Sequence, residues 1–192
     1  MPKKIKDTKS PQINYWANLL LAFGWITLLL LTFLIYQRYN PQNLAFKINE
    51  ISQPAYSEKS GIVPTGIKID SINLLLPVTA SEIKNNKWEA STKSVNFLKT
   101  SVIPGEKGNS VLYGHNWPNL LGNLKKAEPG DKVTVIYSDN SERNFEIEYK
   151  TQVSPSETSI LSNSEDNRIT LYTCAGFLDT KRLVVVAKLL KA

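Results

Sequence analysis

Residues 16–36, WANLLLAFGWITLLLLTFLIY, run for 21 positions without one charged side chain. As a helix rising about 1.5 Å per residue, such a run crosses the roughly 30 Å hydrocarbon core of a bilayer. A buried core helix of this length would carry a polar face, whereas here only Asn18, Thr27 and Thr32 are scattered around the circumference. The run therefore reads as a transmembrane helix. Lys3, Lys4, Lys6 and Lys9 precede it against Asp7 alone, and Arg38 is the only basic residue in the ten positions that follow. That asymmetry holds residues 1–15 in the cytoplasm and sends the C-terminal part across the plasma membrane. A cleavable signal peptide would have an apolar region of about 7 to 15 residues followed by small residues. Here QRYNPQN follows, and the segment is expected to stay as an uncleaved anchor.

The charge balance needs the same dissection. Of 23 basic and 17 acidic residues in 192, the first fifteen positions hold four Lys and one Asp, which leaves 19 and 16 beyond the span. So small a surplus gives no nucleic-acid signature, and the net charge of +6 has its origin partly in topology. One Cys and one His exclude an intrachain disulfide and a zinc finger. No nucleotide or phosphate loop is visible, and no cofactor or metal is expected. Glu157, Glu165 and Asp166 are acidic, but a solvated loop accounts for them.

Residues 37–60 are polar, carry two prolines and show no sustained period. They read as a stalk or linker, with a helical turn around 44–51. From 61 to 192 short apolar runs alternate with turn residues: IKI (67–69), INLLLPV (72–78), SVLYG (110–114), KVTVIY (132–137), NFEIEYK (144–150), RITLYTC (168–174) and LVVVAKLL (183–190). These have strand length and composition, and Phe145, Ile147 and Tyr149 alternate with polar neighbours as in a half-solvated strand. Helical signals are short: TASEIKN (79–85), LLGNLKKA (120–127) and SPSETSIL (154–161). The pattern is all-β with short helices, and leaves a closed barrel and a sandwich both open.

The scarce residues concentrate the chemistry. Cys174 ends one run, and Arg182 begins the next after the connection AGFLDTK. If the two runs form a hairpin, thiol and guanidinium face each other roughly 5 to 8 Å apart. A thiol of pKa about 8.5 needs a neighbouring imidazole or cation to become a nucleophile at neutral pH. An imidazole such as His115, with pKa about 6.5, can stabilise the thiolate and later protonate a leaving amine. An Arg can hold the oxyanion of a tetrahedral intermediate. Together these residues describe acyl transfer through a thioester. The plainer reading makes Cys174 a buried hydrophobe, His115 a structural residue and Arg182 a solvated charge.

These residues resemble the signature of the sortases, membrane-anchored cysteine transpeptidases of bacterial surfaces. TLYTC at 170–174 is similar to the family's TLxTC strand, GH at 114–115 to its His motif, and Arg182 in KRLVVVAK to its essential Arg. IPGEKGNSVLYGHN, LKKAEPGDKVTV and VSPSET are also similar, so the resemblance spans roughly 62–190. It implies a closed eight-stranded β-barrel and cleavage of an LPxTG-like sorting motif between Thr and Gly. The partners would be surface proteins carrying a C-terminal sorting motif and an amine acceptor, on a cell-wall precursor or a pilin Lys. The resemblance makes Cys174 the nucleophile, His115 the general acid and base, and Arg182 the oxyanion donor. Thr173 would help orient Arg182, and Thr170 and Tyr172, on the same strand face as Cys174, would line the substrate groove.

SQPAYSEKSG lacks the Asp-Pro-aromatic lid motif of pilin-polymerising sortases, and the chain stops at Ala192 without a second span. An anchoring enzyme is therefore expected over a pilin polymerase. The eight positions from Cys174 to Arg182 leave the substrate motif unassigned. The rivals are a membrane-tethered β-barrel that binds without chemistry, and a hydrolase that passes the thioester to water. An L,D-transpeptidase would place its Arg within about two residues of the Cys, where Ala175 and Gly176 stand.

Overall fold

A computed structural model describes residues 11–46, 61–84 and 87–190. Helix α1, Pro11–Tyr39, contains a stretch, Asn14–Tyr39, long and apolar enough to cross a membrane. None of its apolar window is buried. The hydroxyls of Thr27 and Thr32 donate to the carbonyls of Gly24 and Leu29, each at 2.8 Å, so these two side chains are satisfied within the helix, as the interior of a bilayer favours. Tyr15 and Trp16 stand at one end and Tyr36 and Tyr39 at the other, where aromatic residues favour membrane interfaces. The helix and residues 41–192 are separate compact units.

Among the described residues the second unit has ten strands: β1 (Pro64–Ile69), β2 (Leu74–Ser81), β3 (Ile83–Lys84), β4 (Lys87–Trp88), β5 (Val95–Leu98), β6 (Gly108–Tyr113), β7 (Lys132–Tyr137), β8 (Glu142–Val153), β9 (Asn167–Ala175) and β10 (Lys181–Leu189). Eight close a barrel in the order β1-β2-β5-β6-β9-β10-β8-β7, and β3 and β4 form a small two-stranded antiparallel sheet outside it. Closure settles the choice between barrel and sandwich. The seven runs read from the sequence each supply a strand; the eighth is β5, four residues too short to stand out. TASEIKN is not helical in its described part. It ends β2 and forms β3, because Thr79, Ala80 and Ser81 pair with β5, so tertiary pairing overrides local propensity. LLGNLKKA and SPSETSIL contribute only the 3-10 turns Leu121–Lys126 and Ser159–Leu161.

The barrel interior is filled by side chains such as Ile67, Phe97, Leu112, Val135, Phe145 and Leu171, all close to fully buried. A second apolar cluster lies on the outer face of β6, β9 and β10, where Val111, Tyr113, Tyr172, Val184 and Val186 are covered by Trp88, Leu98 and Leu161. In β8 the expected alternation holds for Phe145 and Ile147 and then breaks: the register shifts opposite Val186 and Ala187, and Tyr149 is 38% exposed. A bulge of one residue at Glu148 turns the strand over at that point.

Two pairings are parallel, β2 with β5 and β6 with β9. The second one positions the site. With Tyr113 opposite Tyr172, both strands deliver their C-terminal ends to one rim, and the residues just beyond are His115 and Cys174.

The 3-10 turn Pro41–Leu44 and the residues to Phe46 also pack on this unit, with Leu44 and Phe46 in the outer cluster. The linker read for 37–60 thus holds a buried piece. The rest of the expected turn, and residues 47–60, lie outside the described residues.

Candidate active site

Antiparallel pairing sets Arg182 directly opposite Cys174, on the outer face of the barrel. Cys174 is 5% exposed, and its Sγ donates to the main-chain carbonyl of Asn43 at 3.0 Å. Burial pushes the thiol up to about 12; the charge of Arg182 pulls the other way and Asp179 adds to the rise.

Arg182 is 3% exposed and held by carbonyl dipoles. Its Nη1 donates to the carbonyls of Asp179 and Lys181, both at 2.9 Å, and its Nη2 to that of Ala45 at 2.8 Å. The guanidinium carbon lies 5.9 Å from the centre of the Phe46 ring, within cation–π range. Its Nε is buried and has no hydrogen-bond partner among the described residues. A donor left unmet in a dry site is costly unless a ligand takes it up.

The loop after β6 carries His115. The bonds that fix its main chain include those from Gly114 N to the Tyr172 carbonyl (3.3 Å) and from Leu121 N to the His115 carbonyl (3.0 Å). The imidazole stacks on Trp117 with centroids 4.3 Å apart and planes 9° from parallel. Burial lowers its pKa, so imidazole and thiol are both favoured in their neutral forms. No hydrogen bond joins His115 to Cys174 among the described residues. Gly122 closes the loop: a Cβ there would sit 2.6 Å from the Trp117 carbonyl and 2.8 Å from that of Asn116.

The remaining residues singled out on β9 fall into different places. Thr173 turns its hydroxyl to the Gly114 carbonyl at 2.7 Å, beside His115, and not to Arg182. Thr170 donates to the Asn109 side chain at 2.7 Å. Asn109 in turn donates to the Ile160 and Ser162 carbonyls, so Thr170 serves to hold the loop before β9. Tyr172 lies in the floor beneath Phe46, whose ring meets it edge-on at 4.9 Å. Its buried hydroxyl has no hydrogen-bond partner among the described residues. Glu157 bonds Ser159, Glu165 pairs with Lys107, and Asp166 pairs with Arg168.

Sequence reasoning missed Leu44 and Phe46, Trp117, and a link from Asn116 to Asp179. The apolar triplet LAF inside a polar stretch and the aromatic two positions after His115 were the available signals.

With this geometry in place, the comparisons converge. The model of the Sortase domain matches residues 67–190, which is most of the barrel and includes Cys174, His115 and Arg182, and the chain belongs to the sortase family. It is similar to Sortase A of Listeria monocytogenes serovar 1/2a (strain ATCC BAA-679 / EGD-e), with 37% identity over 98 residues. That match covers 49% of this chain and 43% of the relative's own length. Among solved structures, a lid mutant of sortase A from Corynebacterium diphtheriae superposes with TM-score 0.58 at 23% identity, covering 68% of this chain and 71% of that one. Sortase C from Clostridium perfringens with the C-terminal cell wall sorting motif gives TM-score 0.57 at 26% identity, with the same coverage of 68% and 71%.

Proposed function

We propose that this chain is a membrane-anchored cysteine transpeptidase, N-terminus in the cytoplasm and barrel outside. It would cleave an LPxTG-like motif in a surface protein and pass the new acyl end to an amine. One juxtaposition carries the reading: thiol and guanidinium are paired across β9 and β10, and the carbonyls of a single peptide segment, Asn43 and Ala45, rest on them. A site that seats a peptide backbone on its nucleophile and its cation suits a peptide substrate. The sorting motif held by the similar sortase C supports the same substrate class.

In the reaction, a substrate backbone takes the place of residues 43–46, and the proton of Cys174 passes to His115. The thiolate attacks the carbonyl carbon of the scissile bond. Arg182 receives the oxyanion through Nε and through the Nη2 that Ala45 vacates. His115 returns its proton to the departing amine, leaving a thioester on Cys174. The acceptor amine attacks that thioester and gives its proton to His115, and Cys174 leaves as thiolate. One amide is exchanged for another, so no external energy source is required. The acceptor is an amine of a cell-wall precursor, with a pilin Lys as the alternative.

The full chain in detergent, offered LPxTG-like peptides and a small amine, tests this by product analysis. Acyl–amine conjugates support transpeptidation; acids alone define a hydrolase. The covered thiol favours one rival, a tethered barrel that binds peptides without chemistry. That rival predicts saturable binding with no cleavage.

A further inference from the structure

The connection between β9 and β10 is an unusual turn. Gly176, Leu178 and Asp179 have φ of 77°, 50° and 60°, and two of these three are not glycine. Such conformations are unfavourable for residues with a Cβ and persist only where surrounding contacts hold them. Apolar burial does not hold this turn, since Phe177 is 83% exposed and Leu178 is exposed as well. Polar contacts hold it. Thr180 Oγ1 donates to the Phe177 carbonyl at 2.9 Å, Arg182 Nη1 to the Asp179 carbonyl at 2.9 Å, and Asn116 Nδ2 to the Asp179 carboxylate at 3.2 Å. The last of these reaches the loop after β6, 63 positions away in the chain, at the residue between His115 and its stacking partner Trp117.

We infer that Asn116 and Asp179 form a latch between the loop that carries His115 and the turn that holds Arg182, and that both are positioning residues for the transpeptidation proposed above. Asp179 serves with both of its ends. Its carboxylate takes the Asn116 amide, and its left-handed backbone, which Asp tolerates better than most residues, aims its carbonyl at the guanidinium. One residue thereby sets the spacing between acid–base group and oxyanion donor. Trp117 fixes the plane of the imidazole, and the latch fixes where that plane stands relative to Cys174 and Arg182. Asp179 also adds negative potential at the thiol, so that its position bears on how readily Cys174 ionises.

The inference rests on the proposed transpeptidation, and its test keeps the two apart. Full-length chain in detergent is compared as wild type, Asn116→Ala, Asn116→Asp and the reversed pair Asn116→Asp with Asp179→Asn. Asn116→Asp sets carboxylate against carboxylate, whereas the reversed pair restores an amide–carboxylate bond, and Asn tolerates the left-handed position. The expected result is a fall in kcat of about 10- to 100-fold in both single variants with KM within about threefold, since small misplacements of reacting groups cost this much. The reversed pair returns to within about threefold of wild type, and the thermal melts of all four coincide. Wild-type kcat in Asn116→Ala, or a reversed pair no faster than Asn116→Asp, overturns the latch. Should the wild type turn over no peptide, transpeptidation fails and the latch is judged on alkylation of Cys174 by iodoacetamide. There the single variants label about fivefold faster as the turn loosens, and the reversed pair returns to the wild-type rate. Equal rates in all four overturn the latch.

Discussion

At the scale of the residue, the candidate site is three polar side chains kept dry. Arg182 sits in a nest of main-chain carbonyls with its Nε held back, and both properties belong to a planar fork with five donors. Arg182→Lys keeps the charge and loses the fork. Turnover is expected to fall by about 100-fold or more, the cost typical of an oxyanion donor, measured as kcat on a sorting peptide. Cys174 gives a pH prediction. Its folded pKa of about 12 lies above an unfolded value of about 8.5, so the folded state keeps a proton that the unfolded chain gives up. The stability it contributes is whole below about pH 8.5 and is lost as pH rises toward 12, at up to about 1.4 kcal/mol per pH unit. Tyr113 and Tyr137, also raised to about 12, start from about 10 in the unfolded chain, which leaves the window from about pH 8.5 to 10 to Cys174. Denaturant melts across that window should slope downward in wild type and flatten in Cys174→Ala. Cys174, His115 and Arg182 were legible in the sequence as candidates because they are scarce or sit at strand ends. The carbonyl of Asn43 was not, because it reaches the thiol from 131 positions away.

At the scale of the element, the parallel pair β6 and β9 brings imidazole and thiol to one rim, and Thr173 clamps the two strand ends through the Gly114 carbonyl. The segment 41–46 is the cover. Leu44 and Phe46 are buried on Tyr172 and its neighbours, and the same burial raises the thiol. Phe46→Ser should loosen that cover, rehydrate Cys174 and speed its alkylation by about tenfold or more, since reactivity follows the thiolate fraction. An unchanged labelling rate would show that Phe46 does not control access. Long alternating runs made most strands legible. β5 was not, being short and defined by its parallel partner β2, nor was the bulge at Glu148, which changes the face of Tyr149 without a mark in the sequence.

At the scale of the whole molecule, the chain joins an apolar helix to a closed barrel, and each is a compact unit. The helix was legible because 21 consecutive uncharged residues have few other uses in water. Barrel closure was not, because it depends on β1 meeting β7 across about 70 positions, where alternation alone does not tell one partner from another. The full chain in native membranes should resist extraction by salt and alkaline carbonate and come out with detergent, as assayed by immunoblot. Release by salt alone would reduce the helix to a peripheral contact.

Intact mass spectrometry of the full chain after brief exposure to an LPxTG-like peptide without acceptor tests the chemistry most directly. The expected result is an adduct equal to the acyl half of the peptide, mapped to Cys174, labile to hydroxylamine and absent from Cys174→Ala. Peptide cleavage that persists in Cys174→Ala would contradict a thioester mechanism.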